Sequence, residues 1–544
     1  MRIFLLILLV STFYSCSKSS SSNTSSTAST DNRSNLDPYF QYQWHLQNTG
    51  QNGGTAGEDI NVLPVWDQNY RGQGVVALVV DDGMEIAHPD LQVNVSTSYS
   101  YNYVYGTNDP TRGSSTSSTA SRHGTAVAGI IGAKDFNYIG VRGIAPAVTL
   151  AGVNLVAAAA TDAMAADAMT RNMIYVHISN NSWGAADSSG QYTSSATVWK
   201  DAIKSGLSSG RGGKGIVYLW AGGNGANSSG EDNSNYDGYA NYFGVLAICA
   251  VGNTGVKATY SESGANLWVC APSQNSESSS SSSGIVTTDM TGESAGYNRN
   301  STTTDLSDKN YTNKFNGTSA STPMVAGVAA LILNANPNLS WRDVRIILAK
   351  SARKNDSTSS GWTTNGAGYN IHHDYGFGVV NAESAVNYAK TWTNVGTLVG
   401  GTSGVSFPTA GVMTVNQAIT DNPNPESAVS STITVSSSGI SKIEYVAVTV
   451  KITHADWGNL EIKLRRSGGS YSTQSTLATK HTCYNEEDGS SDVCNLSSLS
   501  YQWTFGVTRD LGESADGDWI LEVKDKKSGT SGTFDSWRLT FYGE

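Results

Sequence analysis

The 544-residue sequence predicts an α/β unit, a parallel sheet flanked by helices, followed by an all-β sandwich. Three observations carry that reading. Val75-Val76-Ala77-Leu78-Val79-Val80 and Ile216-Val217-Tyr218-Leu219-Trp220 are continuous apolar runs, as strands buried on both faces of a parallel sheet are. Gly124 to Ile131 and Met324 to Leu333 are rich in small and apolar residues and read as central helices. From Thr393 short alternating strands set in, separated by Gly and Ser turns: Tyr445 to Thr453, Leu460 to Leu464, Asp518 to Val523 and Trp537 to Tyr542.

Taken in chain order, residues 1–16 read as an export signal, with Arg2 ahead of the apolar run Ile3 to Val10. Phe13-Tyr14-Ser15-Cys16 resembles a bacterial lipobox, although Phe13 stands where Leu is usual; acylation of Cys16 would anchor the chain to a membrane. An ordinary cleaved signal peptide and a retained anchor are the alternatives. Residues 17–36 read as a linker; Ser17 to Thr30 is almost all Ser, Thr and Asn, the composition of a flexible tether, and the segment is too short to form a packed core. The α/β unit is expected over 37–392 and the sandwich over 393–544.

Composition narrows the function. A net charge of −11 argues against nucleic acid, whose phosphates need a basic surface. It suits attraction of basic peptides, and is also ordinary for an exported protein. Beyond Cys16 the cysteines are Cys249, Cys270, Cys483 and Cys494, which allow three pairing schemes. Cys483 and Cys494 are the nearest pair; Cys249 and Cys270 end strand-like runs and either pair or stay as buried thiols. Neither pair has metal-site spacing.

The chemistry sits at the ends of these elements. Asp81 and Asp82 follow the first strand directly, at the carboxyl edge where open α/β sheets place their sites. His123 opens the first central helix. Ser319 stands two residues after Gly317, near the start of the second, where peptide dipoles favour developing negative charge. Carboxylate, imidazole and hydroxyl together make a nucleophile from a group too weak to react alone. Asn224 lies in Ala221-Gly222-Gly223-Asn224-Gly225, after another strand, and read alone is a turn residue.

The chain order Asp81, His123, Ser319 is that of the subtilisin superfamily, which the sequence resembles from about Asp37 to Trp392. Asp37-Pro38-Tyr39-Phe40, Gln43-Trp44-His45-Leu46, Asp59-Ile60-Asn61-Val62, Asn181-Ser182-Trp183-Gly184, Tyr236-Asp237-Gly238-Tyr239 and Asp374-Tyr375-Gly376-Phe377-Gly378 resemble its kexin/furin branch, the proprotein convertases. His454-Ala455-Asp456-Trp457-Gly458-Asn459-Leu460-Glu461-Ile462, Gly517 to Val523 and Ser536 to Leu539 resemble that branch's P domain, also called homo B. The resemblance implies a sandwich that stabilises the catalytic domain, with His454 and His481 structural.

The resemblance also implies roles for individual residues. Asn224 would donate to the oxyanion, a contribution typically of about 10²–10³ in turnover. Ser182, Trp183 and Gly184 would line the substrate, and Asp237 would meet a basic side chain before the scissile bond. Asp187, Asp232 and Glu262 would hold a Ca²⁺ beside that pocket, carboxylate oxygens suiting a hard cation. Asp82 would select a second basic residue upstream. Asp37, Asp90 and Asn137 match a further, structural Ca²⁺ site. Ala165 and Ala186 stand where furin has acids, so a demand for a basic residue four positions upstream is not expected.

The expectation is an exported, Ca²⁺-dependent serine endopeptidase cutting after Lys or Arg, preferably at dibasic sites. Members of the branch usually carry a propeptide of several tens of residues, and only about twenty low-complexity residues separate Cys16 from Asp37, so either the enzyme folds unaided or a folding chaperone in trans is its partner. The rivals are a broad degradative subtilisin and an inactive adhesion or binding lipoprotein.

Overall fold

A computed structural model describes residues 36–111, 122–157, 159–226, 231–276, 283–292, 296–299, 304–421, 428–467, 474–484, 491–492, 494 and 500–544. The export-signal and lipobox readings, and all but the last residue of the tether, lie outside the described residues.

The first unit is built on seven parallel strands: β1 (Val76–Asp81), β2 (Tyr101–Asn102), β3 (Thr149–Asn154), β4 (Ile178–Asn181), β5 (Val217–Ala221), β6 (Val245–Val251) and β7 (Leu267–Pro272). Their order is β2-β3-β1-β4-β5-β6-β7. Every residue of β1, β5, β6 and β7 is buried, which is why these segments read as unbroken apolar runs. Strand β1 continues to Asp81, which pairs in register with Asn154. The carboxylate is therefore fixed by sheet pairing. A ribbon of β8 (Ile285–Thr288) and β9 (Tyr311–Phe315) and a two-residue pair, β10 (Thr363–Thr364) with β11 (Asn370–Ile371), complete this unit's strands among the described residues.

Two helices carry site residues. Arg122–Gly132 is buried from Gly124 to Gly132, and Gly124 permits its close approach to the backbone at Gly83. Thr318–Ala335 is apolar enough to cross a bilayer, but 83% of it is buried inside the protein, so it is a core helix. It starts six residues ahead of Met324, where the apolar run begins, and two features allow this. Gly317 takes φ +78°, which a Cβ disfavours, and Asn224 Oδ1 accepts the first helical N–H, that of Thr318, at 2.7 Å. Pro323 lacks the N–H that would bond the Ser319 carbonyl; Ser182 Oγ donates to that oxygen at 3.1 Å.

The second unit is an antiparallel sandwich. One sheet runs β12 (Val405–Phe407), β22 (Gly532–Gly543), β15 (Ile443–His454), β20 (Ser500–Val507), with β13 (Met413–Ile419) also on β22. The other runs β14 (Val429–Val435), β21 (Gly517–Asp525), β16 (Leu460–Arg466), β17 (Ser475–Ala478). Strand β21 alternates buried and less buried residues, the pattern of a sheet with one face on the core. A small hairpin, β18 (Cys483–Tyr484) with β19 (Ser491–Asp492), stands apart. Cys483 is bridged to Cys494, and Cys249 to Cys270, which lie in register on β6 and β7.

The units meet over a buried polar seam. Arg342 Nε donates to Glu444 at 2.9 Å, and both residues are buried. Arg345 is caged, its guanidinium 4.1 Å from the Trp268 ring centre and 5.8 Å from those of Phe243 and Tyr445. Phe243 stacks on Tyr542 with ring centres 3.6 Å apart, and Trp503 Nε1 donates to Asn235 O at 2.9 Å.

Candidate active site

Asp81 Oδ1 accepts from His123 Nδ1 at 2.8 Å and from the Asp82 N–H at 2.7 Å. The carboxylate is buried and the imidazole is 27% exposed, so one face of the ring is open to a reactant. Burial disfavours the charged ring, but the charge of Asp81, its hydrogen bond and the charge of Asp82 outweigh it and push His123 up to about 9.

Ser319 lies in the first turn of its helix. Its Oγ donates to Ser182 O at 3.2 Å while Ser182 Oγ donates back to Ser319 O. The hydroxyl is thus turned toward Ser182 and not toward His123; nucleophile–base contacts commonly tighten only with substrate in place. Trp183 ties the two halves together, its Nε1 donating to Val80 O, next to Asp81, at 3.0 Å. Asn224 caps the Ser319 helix through Oδ1, and its Nδ2 donates to Asp187 at 3.2 Å. One Nδ2 proton remains for an oxyanion.

A cleft of about 140 Å³ opens from Ser319 and is lined by Ser182, Trp183, Gly184, Asp187, Asp232, Asp237 and Glu262, among others. Glu262 is buried, Asp232 and Asp237 are half-buried and Asp187 faces the opening. Among the described residues none of these carboxylates has a Lys or Arg partner. Burial pushes Asp232 and Asp237 up to about 6, and burial with the neighbouring carboxylates raises Glu262 well above the usual carboxylate range. Glycines admit the acids: a Cβ at Gly184 would meet Asp237 at 2.4 Å and one at Gly225 would meet Asp232 at 2.2 Å. Acids crowded together without a cation fit a bound metal ion and a cationic ligand.

Other expected residues sit differently. Asp82 accepts the Gly124 N–H at 2.9 Å and the His123 N–H at 3.4 Å, so its carboxylate caps the His123 helix and lies against the imidazole. Sequence reasoning missed that role, because Asp82 lies more than forty residues ahead of the N–H groups it accepts and is no local cap signal. Asp37, Asp90 and Asn137 come together, with Asn137 Nδ2 donating to Asp90 at 2.7 Å. However, the buried Asp37 carboxylate is met by Arg142, whose Nε lies at 2.8 Å, so a guanidinium stands where a cation was expected and the set does not fit a second Ca²⁺. His454 is buried in the sandwich against Asp525 at 3.2 Å, and His481 is buried where the two units meet.

An Asp82→Asn substitution tests the electrostatic part of this arrangement. A general base must be neutral, so turnover should rise as pH increases through the His123 pKa. Removing the Asp82 charge destabilises the imidazolium, and the acidic limb of kcat/KM is expected to move to lower pH, while the Asn oxygen keeps the cap. A pH–rate profile superimposing on the wild type would show that Asp82 does not act on His123.

Comparison with known proteins places the fold. Residues 72–378 match the Subtilase family and residues 443–541 the Proprotein convertase P-domain. A PC3-like endoprotease of Hydra vulgaris is 33% identical across 90% of this chain and 63% of its own length. Human proprotein convertase subtilisin/kexin type 7 is 33% identical across 93% of this chain and 60% of its own. The chain thus spans about three fifths of the length of these curated relatives. The crystal structure of an Aeromonas sobria serine protease with a chaperone superposes with a TM-score of 0.79 at 28% identity, covering 94% of this chain and 95% of that one. The chain belongs to the subtilase family, in the branch that joins the catalytic fold to a proprotein convertase P-domain.

Proposed function

We propose that the protein is a serine endopeptidase that cuts after Lys or Arg, with a preference for dibasic sites and a dependence on Ca²⁺. The observation that carries this is the contiguity of Ser319 with an acid-lined cleft that holds no Lys or Arg among the described residues. Asp187, Asp232 and Glu262 would hold Ca²⁺, which when bound supplies positive charge that offsets these acids. Asp237, accepting from Ala185 N–H at 3.0 Å and Tyr239 N–H at 2.7 Å, is oriented to meet the substrate cation.

His123 removes the Ser319 proton as Oγ attacks the scissile carbonyl, and later returns it to the leaving amine. Asp81 holds the proton on Nδ1 and stabilises the imidazolium. The Ser319 N–H and the free Nδ2 proton of Asn224 receive the oxyanion at the positive end of the helix. Water, activated by His123, then releases the acyl group.

Steady-state cleavage of dibasic, aromatic and aliphatic peptides with Ca²⁺ present decides the matter. A strong preference for the dibasic peptide supports the reading; equal cleavage of all three makes the enzyme a broad degradative protease, and cleavage of none makes it a binding protein. Export with lipid anchoring through Cys16, and folding assisted by a chaperone as a partner, complete the proposal. Loss of membrane pelleting on Cys16→Ser checks the first; a raised yield of active enzyme on co-expression of a chaperone checks the second.

Chelation should weaken the fold in a pH-dependent way. The pocket acids have folded-state pKa values above their unfolded ones, so without an ion their ionisation opposes folding. That opposition is absent below about pH 4 and grows as pH rises through about 6 and beyond. Calcium reverses it at high pH by binding the ionised acids. The expected calorimetric result is a large fall in Tm with chelator at pH 8, corresponding to about 4 kcal/mol at thousand-fold saturation, and little change near pH 5. Equal Tm with and without chelator at pH 8 would remove the ion from this pocket.

A further inference from the structure

The P-domain packs behind the loop that carries the acidic pocket. His481, two residues ahead of Cys483, places Nε2 3.0 Å from Gly190 O and Nδ1 2.7 Å from Thr479 O, bridging the pocket loop and the approach to hairpin β18–β19. Cys483 Sγ lies 2.9 Å from the same Gly190 oxygen; bridged to Cys494, it has no proton to donate and makes a close packing contact. The Tyr484 N–H donates to Ser189 O at 2.7 Å. Three successive contacts therefore grip Ser189-Gly190.

What they grip is the pocket itself. The Gly190 N–H donates to Asp232. Ser189 Oγ donates to Ala186 O at 3.2 Å, beside Asp187. A parallel arm reaches Asp237. The His481 ring stacks on Tyr236 with centres 4.7 Å apart, and the Thr479 N–H donates to the Tyr236 hydroxyl at 3.2 Å. Tyr236 directly precedes Asp237 and bonds through its carbonyl to the Thr193 N–H at 2.9 Å. Both His481 and Cys483 are buried, and Gly190 meets these contacts at φ +65°, a conformation a Cβ would disfavour.

We propose that His481 and the Cys483–Cys494 hairpin are specificity-determining positioning residues, a clamp by which the P-domain holds Asp232 and Asp237 in register for a basic side chain. The proposal rests on the reading of this cleft as the seat of that side chain. A domain that only stabilised the fold would have no need to contact the residues adjoining two pocket acids. Removing outer partners that orient metal-ligating groups typically weakens affinity or activity by about 10–100-fold, and the lower end is expected for a partner acting through Gly190.

The test compares full-length wild type with His481→Ala, His481→Gln and the Cys483→Ala/Cys494→Ala pair, each with its active fraction titrated by an irreversible serine-directed reagent. Per active site, KM for an Arg-containing peptide is expected to rise about 10-fold in His481→Ala and in the cysteine pair. Values for an apolar peptide and kcat should hold, and His481→Gln, which keeps a donor toward Gly190 O, should recover part of the loss. Amide exchange at Gly190, read in the same samples, should quicken in the Ala variants. Equal loss on both peptides, or unchanged exchange at Gly190, overturns the clamp. A wild type without preference for basic peptides overturns the functional reading instead, and the exchange comparison still decides whether the hairpin holds the loop.

Discussion

Replacing Ser319 with Ala is expected to lower peptidase turnover by on the order of 10⁶ while leaving the Tm within a degree or two of the wild type. The size follows from the mechanism. Without Oγ no acyl-enzyme forms, and what remains is water attack aided only by the oxyanion donors and substrate binding. The small cost in stability follows from the hydroxyl's place, since its hydrogen bond is to Ser182 O, while the reciprocal bond from Ser182 to the Ser319 carbonyl does not involve it. Stopped-time assays of purified Ser319→Ala beside a calorimetric scan check both halves. Turnover near the wild-type rate would mean that another group is the nucleophile.

Asp237→Ala should produce the second largest effect, and a selective one. The substituted pocket keeps its shape but leaves an incoming guanidinium or ammonium without its partner, a penalty of roughly 2–5 kcal/mol, or about 30- to 5,000-fold in kcat/KM. Peptides with an apolar residue before the scissile bond should lose far less. Two features sharpen the expectation. Asp237 lies within the same acidic cluster as Asp232 and Glu262, and its own backbone donors, Ala185 and Tyr239, orient it toward the cleft. Parallel losses on basic and apolar peptides would place the recognition of the cation elsewhere.

The catalytic groups were legible in the sequence because each belongs to a local grammar. A buried strand must end somewhere, and Asp81 ends one; a helix must begin, and His123 and Ser319 lie in the first turns of two. The pocket acids were legible only through resemblance, since Asp187, Asp232, Asp237 and Glu262 lie on separate loops with no periodicity among them. What escaped was set by distant partners. Nothing local announces that Ser182 would satisfy the carbonyl that Pro323 frees, because 137 residues separate Ser182 from Ser319. Likewise Arg142 reaches Asp37 across 105 residues, and His481 reaches Gly190 across 291. Such contacts depend on how the finished elements pack, and leave no mark in either segment.

The seam around Arg342, Arg345 and Glu444 bears on how long a molecule of this kind can persist among proteases, itself included. Taking away the P-domain would break the buried Arg342–Glu444 pair and strip Phe243 of its stacked partner, opening a large apolar and charged face to water, so the remaining unit is expected to be less stable than the intact chain. A fragment without the sandwich is therefore expected to unfold at a lower temperature than the intact chain, whose persistence is then set by the rate at which the seam opens.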